Sequence, residues 1–301
     1  MRLVLIQFLN WRVKIMNKKE IFRTLKPFNW MAASILTLFG ILNTRMEIGM
    51  GRVSINIYIG VPTYFLLAIS GMLLALWLQS MDEETTNELK NPLLILIFCG
   101  IFYSSAFVLA LLHSIIYDIG VFNIISMILI GIIWNLSIFF GKKMENRSTL
   151  VIIISSFSFS FGFFYGATLN GWNIPFYIIL FFIAGFSLQF SKEVIRSFKV
   201  RKNEKADQIN PLIKIYGPIK TQRNAFYAQI VTIICITLPI FLNIYNSTLY
   251  LIPMLIVIFC DGIAAFLTFS LKLDEKYNPA IMILLRISVF IAFLMFLLGS
   301  V

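Results

Sequence analysis

The chain has 301 residues, 59% of them hydrophobic and 13% charged, with a mean hydropathy of +0.87. Water-soluble domains hold roughly 45–50% apolar residues, so this composition excludes a soluble enzyme and requires a bilayer as solvent. The net charge of +11 would suggest nucleic acid in a soluble protein. In a membrane protein, Lys and Arg collect in cytoplasmic loops, and nucleic acid is not an expected partner.

Residues 1–28 read as a cytoplasmic amino-terminal segment and 29–301 as a single transmembrane helical domain. The opening MRLVLIQFLNWRVKI is too short and too basic for a cleaved signal peptide. It reads either as an interfacial amphipathic helix or as a stretch upstream of a true start at Met16. A crossing needs about 20 mostly apolar residues. Such runs predict an all-α polytopic bundle of about nine transmembrane helices, near 29–44, 57–79, 93–112, 121–140, 149–168, 175–191, 224–244, 248–271 and 280–300.

Charge orients this bundle. The amino-terminal segment carries Arg2, Arg12, Lys14, Lys18, Lys19, Arg23 and Lys26. The loop after 140 carries Lys142, Lys143 and Arg147. The segment between the sixth and seventh runs carries Lys192, Arg196, Lys199, Arg201, Lys202, Lys205, Lys214, Lys220 and Arg223. All fall on one side if nine helices alternate. The positive-inside rule then predicts a multi-pass cell-membrane protein with its amino terminus cytoplasmic and its carboxyl terminus outside.

Several residues invite a chemical reading. Cys99, Cys235 and Cys260 lie in apolar runs without metal-ligand spacing and read as buried small hydrophobes. His113, the single histidine, is expected at the outer membrane interface near Tyr117 and Asp118, and no metal site is expected. Asp261 and Arg286 are intramembrane charges at similar depth, which predicts an ion pair tethering the last two helices, with a lipid-phosphate or ion contact as the alternative. Ser155, Ser156, Ser158 and Ser160, with Gly162 and Gly166, read as small-residue helix packing. The acidic group Asp82, Glu83, Glu84 and Glu88 follows the second run and either docks on the basic 192–223 segment or stays solvated. Lys199, Arg201, Lys202 and Lys205 are candidate ligands for anionic lipid headgroups or a lipid diphosphate.

From Met16 onward the order of features resembles the UbiA superfamily of intramembrane prenyltransferases. Within it, the chain most resembles the archaeal digeranylgeranylglyceryl phosphate synthases, which add a second geranylgeranyl chain to a glyceryl phosphate. The stretches that carry the resemblance are FRTLKPFNWMAASILTLFGIL (22–42), FGKKMENRSTLVIIISSFSFSFGFFYGA (140–167), QFSKEVIRSFKVRKNEKADQINPLIKIYG (189–217) and ILLRISVFIAFLMFLLGS (283–300). The resemblance implies two acidic clusters that hold Mg²⁺ against the diphosphate of a prenyl donor, by Lewis-acid chemistry. At the first motif, N-D-x-x-D-x-x-x-D, residues 75–83 read ALWLQSMDE: Ala75, Leu76 and Gln79 replace the Asn and two acids, and Glu83 alone is acidic in register. The R-P-x-P-S-G loop that follows in the family has no counterpart here. At the second motif Ser197 and Val200 stand where acids are implied, with Lys199 between them, while Glu193 and Arg196 match. Glu204 and Asp207 read as solvated loop charges in a basic run, with displaced acids of this motif as the alternative.

A site short of acids cannot repay the dehydration of Mg²⁺. The expected protein is therefore a UbiA-like bundle that has lost magnesium-dependent prenyl transfer, needs no cofactor, and binds a lipid or another membrane protein. Asp82, Glu83, Glu193 and Arg196 are the remnant candidates of the catalytic site. The alternatives are a divergent active prenyltransferase that uses a polyprenyl diphosphate and Mg²⁺, and a channel or transport subunit.

Overall fold

The computed structural model describes residues 27–45, 50–80, 92–117, 147–171, 174–198, 211–242, 244, 248–271 and 278–299, and every regular element among them is a helix. In chain order these are α1 (Pro27–Asn43), α2 (Met50–Ser80), α3 (Pro92–Tyr117), α4 (Arg147–Ser160), α5 (Gly162–Asn170), α6 (Phe176–Ser197), α7 (Pro211–Phe241), α8 (Thr248–Ser270) and α9 (Asn278–Gly299). Among the described residues, 6 helices, α2, α3 and α6 to α9, are long and apolar enough to cross a membrane. The protein is thus a multi-pass membrane protein. The run expected at 121–140 lies outside the described residues. Helical hydrogen bonds run through Phe161, whose N–H donates to Phe157 O and whose O accepts from Tyr165 N, both at 2.9 Å. α4 and α5 are therefore one rod that covers the expected 149–168 run.

Burial is inverted relative to a soluble domain. On α8, Met254, Val257, Asp261, Ala264 and Thr268 are buried, following the 3–4 residue spacing of one helix face. Leu255, Phe259 and Phe266 on the same helix face outward, Phe259 being 69% exposed. Exposing such side chains to water would be an aggregation hazard, whereas lipid accepts them. On α9 the buried stripe is Ile281, Leu285, Ser288, Ala292 and Met295. The three cysteines are buried and unoxidised, as expected.

α1 and α5 approach closely. A Cβ on Gly162 would stand 2.6 Å from Ala33 O, and Cβ atoms on Gly40 or Gly166 would collide with the carbonyl oxygens of Phe163 and Thr37. Only glycine lets the two backbones approach this closely, the small-residue packing that bilayers favour because no hydrophobic force drives helices together there. Ser156 and Ser160 answer their own helix, donating to Ile152 O at 2.7 Å and Ser156 O at 3.1 Å. The expectation of small-residue packing around Gly162 and Gly166 thus holds.

A buried polar chain ties four helices at one end of the bundle. Thr44 Oγ1 donates to Gly40 O (2.8 Å) and accepts from Asn170 Nδ2 (2.7 Å), which also donates to Ile41 O (2.7 Å). Asn56 Nδ2 donates to Asn170 Oδ1 (2.8 Å) and Leu169 O (2.9 Å). The Asn56 oxygen is left as an acceptor, so His113 Nε2, 2.7 Å away, must carry the proton. His113 is 1% exposed, which corrects the expectation of an interfacial side chain. The physical reason is that a satisfied imidazole costs little inside, and Asn56 satisfies it.

α7 is two helices in sequence. Gly217 takes φ +76°, a left-handed conformation that favours glycine, and Pro218 restarts the helix. The hydroxyl of Thr221 closes the new first turn on Gly217 O at 2.8 Å. The next residue, Gln222, donates from Nε2 to Thr268 O and, at 2.7 Å, to Leu271 O, satisfying carbonyls that the end of α8 leaves without helical partners.

Candidate functional site

α1, α4, α6 and α9 enclose a cavity of about 530 Å³. Its apolar wall is Met31, Ala32 and Ile35 from α1, Phe159 from α4, and Met282, Val289, Phe290 and Phe293 from α9. Three cations enter it, Lys192 and Arg196 from α6 and Arg286 from α9. Lys192 and Arg196 share a face of α6 because four residues make just over one helical turn. That spacing is visible in the sequence and is the signal by which Lys192 could have been singled out. Met31 (50% exposed) and Phe290 (62%) are exposed apolar residues of the lining, so the cavity reaches the apolar surface of the bundle.

The cations crowd one end. Counting about 1.5 Å per residue along each helix, Arg196 lies about 1.5 Å and Lys192 about 7.5 Å from the carboxyl end of α6. Arg286 lies about 12 Å inside α9 from its start at Asn278, whereas Phe290 and Phe293 lie about 18 and 22 Å in. Arg196 occupies the last turn of α6, where the helix dipole favours a cation. Its guanidinium meets Glu193 Oε1 at 3.8 Å, with the side chains 49% and 15% exposed, and the same oxygen accepts from Gln189 Nε2 at 3.3 Å. The Lys192 ammonium lies 5.9 Å from the Phe159 ring centre, within reach of a cation–π attraction. The cations thus gather toward one end of the cavity, and Phe290 and Phe293 lie toward the other.

The expected Asp261–Arg286 pair does not form. Asp261 is fully buried, neither carboxylate oxygen has a hydrogen-bond partner, and it faces Ser288 of α9. Arg286 precedes Ser288 by two residues, about 200° around the helix. The two charges match in depth but not in azimuth, and Arg286, an exposed residue, lines the cavity instead. Glu193 and Arg196 are brought together on α6. Asp82, Glu83, Lys199, Arg201, Lys202, Lys205, Glu204 and Asp207 lie outside the described residues, as does Val200. Ala75, Leu76 and Gln79 fall on α2, and Ser197 ends α6.

These features define an intramembrane helical bundle with a laterally open, cationic cavity. Solved structures carry the same architecture. A structure of digeranylgeranylglyceryl phosphate synthase matches with a TM-score of 0.66 at 18% identity, over 94% of this chain and 98% of that one. A UbiA homolog from Archaeoglobus fulgidus, bound to DMAPP and Mg²⁺, matches at 0.60 and 15%, over 93% and 99%. The apo UbiA homolog from Aeropyrum pernix K1 matches at 0.56 and 10%, over 87% and 97%. No family model and no curated relative matches the sequence. The chain has the UbiA prenyltransferase fold.

The described lining of the cavity does not fit a magnesium ion of the kind the Archaeoglobus homolog holds. Mg²⁺ requires oxygen ligands, with carboxylates to offset its dehydration. Here Lys192, Arg196 and Arg286 line the space, and the nearby Glu193 carboxylate is engaged by Gln189 and Arg196. Among the described residues, no three His, Cys, Asp or Glu side chains group closely enough to hold a metal.

Proposed function

We propose that this protein is a UbiA-fold membrane component that has lost magnesium-dependent prenyl transfer and binds a lipid in the cavity between α1 and α9. The cavity carries the reading: three cations at one end and an aromatic, laterally open wall at the other match a lipid with an anionic head. The sequence adds that Ala75, Leu76, Gln79, Ser197 and Val200 stand where the resemblance implies polar or acidic metal ligands. Losing the leaving-group metal forfeits several kcal/mol of transition-state stabilisation, which a cationic lining does not replace in kind.

The test is transfer from geranylgeranyl diphosphate to geranylgeranylglyceryl phosphate by purified full-length protein, with and without Mg²⁺. The expected result is no product above a protein-free control, together with saturable lipid binding. Magnesium-dependent product that disappears in Glu83→Ala would establish the divergent-enzyme reading instead.

A further inference from the structure

Independently of the lipid-binding reading, we infer that Asp261 and Ser288 form a buried site for one small monovalent cation, an alkali ion or a proton, in the seam between α8 and α9. Asp261 lies about 14 Å from the carboxyl end of α8 at Ser270. Both side chains are 0% exposed. Neither carboxylate oxygen has a hydrogen-bond partner, and neither has the Ser288 hydroxyl that faces them. Ser288 does not turn back onto its own helix, as Thr268 Oγ1 does at 2.7 Å to Ala264 O. Two carboxylate oxygens and one hydroxyl oxygen thus meet with their bonding capacity unused.

The occupant follows from charge and size. An isolated carboxylate in surroundings this dry costs more than the whole stability of a domain, so its charge is neutralised in place. Among the described residues no side chain does this. α7 and α9 pack against α8, and their described cations Lys220, Arg223 and Arg286 are all exposed. Gln222, next to Arg223, bonds Thr268 O and Leu271 O, about 10–15 Å along α8 from Asp261. The other buried titratable groups described on these helices, Cys235, Tyr250 and Cys260, carry no positive charge. A divalent ion would leave a net positive charge in the same seam, and Mg²⁺ parts reluctantly with its waters. An organic cation finds no room beside two fully buried side chains. A bare monovalent ion balances one carboxylate. The Ser288 oxygen is then a third hard ligand for an alkali ion, or the hydrogen-bond partner of a carboxylic acid. Either occupant ties α8 to α9, and its loss leaves a charge that the closed seam does not accommodate.

The experiment uses the purified full-length protein in a neutral detergent. Thermal unfolding is followed by a thiol-specific fluorophore that reacts with Cys99, Cys235 and Cys260 as they leave the interior. One arm raises Na⁺ a hundredfold at pH 8, with choline chloride holding the ionic strength constant. The other raises the proton concentration a hundredfold, from pH 8 to pH 6, in choline chloride alone. In the arm that supplies the occupant, Tm is expected to rise by up to about 5 °C, the effect of a hundredfold change in a ligand bound only by the folded state. A rise with Na⁺ alone assigns the alkali ion, a rise with acid alone assigns the proton, and a rise in both shows the two competing for Asp261. Asp261→Asn, which keeps the shape and removes the charge, should abolish the rise. Ser288→Ala keeps the carboxylate, should shrink the rise, and carries the comparison if the Asn variant fails to fold. No rise in either arm, the same rise in Asp261→Asn, a rise undiminished in Ser288→Ala, or an equal response when Mg²⁺ replaces Na⁺ would each overturn the inference.

Discussion

Gly166→Ala is the sharpest test of how the bundle is held. The added methyl would collide with Thr37 O and stand 2.9 Å from Ile41 N and 3.0 Å from Gly40 Cα, all backbone atoms that no rotamer change can move aside. Relief requires α1 and α5 to separate by roughly an ångström, which is overpacking of the kind that costs about 1–3 kcal/mol. The separation also stretches the Asn170 bonds to Ile41 O and Thr44 Oγ1 from 2.7 Å to beyond useful length. Interhelical hydrogen bonds in membranes average about 0.6 kcal/mol each. Against this, Ala gains about 0.5–1 kcal/mol over Gly in a helix. The net expectation is a loss of about 2–3 kcal/mol of unfolding free energy. Gly100→Ala on α3, where nothing lies within 4 Å, isolates the propensity gain and should be neutral or stabilising. SDS-titrated unfolding in mixed micelles reads both. Equal stability of the two variants would refute the close-contact account of the α1–α5 crossing.

Two further outcomes follow from particular residues. A double-mutant cycle of Asp261→Asn and Arg286→Gln should give a coupling below about 0.5 kcal/mol, the additivity of residues that share no contact; a coupling above about 1 kcal/mol would restore the ion pair. Single cysteines placed at 171–173 or 245–247 should label from outside the cell and those at 201–205 should not, the native cysteines being buried; the reverse pattern would invert the proposed orientation.

Hydropathy alone located most of the spans because the transfer of each side chain into hydrocarbon is a local quantity that sums along the chain. The runs at 248–271 and 280–300 correspond to α8 and α9 within two residues. Helix ends outside the bilayer leave no such trace. α6 continues past the expected 191 through Lys192 and Arg196 to Ser197, and α7 begins at Pro211 rather than 224. A helix does not stop where lipid stops. The resemblance carried by scattered motifs pointed to the UbiA fold, and of the site residues it singled out, Glu193 and Arg196 proved to be neighbours on α6.

What only tertiary structure decided is rotation and partnership. Depth along a helix can be counted from sequence, but the direction a side chain faces depends on how its helix is turned against the others. That turn separated Arg286 from Asp261 and placed it on the wall of the cavity that Lys192 and Arg196 also line. It also sent His113 inward to Asn56, a residue 57 positions away in the chain. Hydrogen bonds and cavities are pairwise facts between distant segments, and no property of either segment alone contains them.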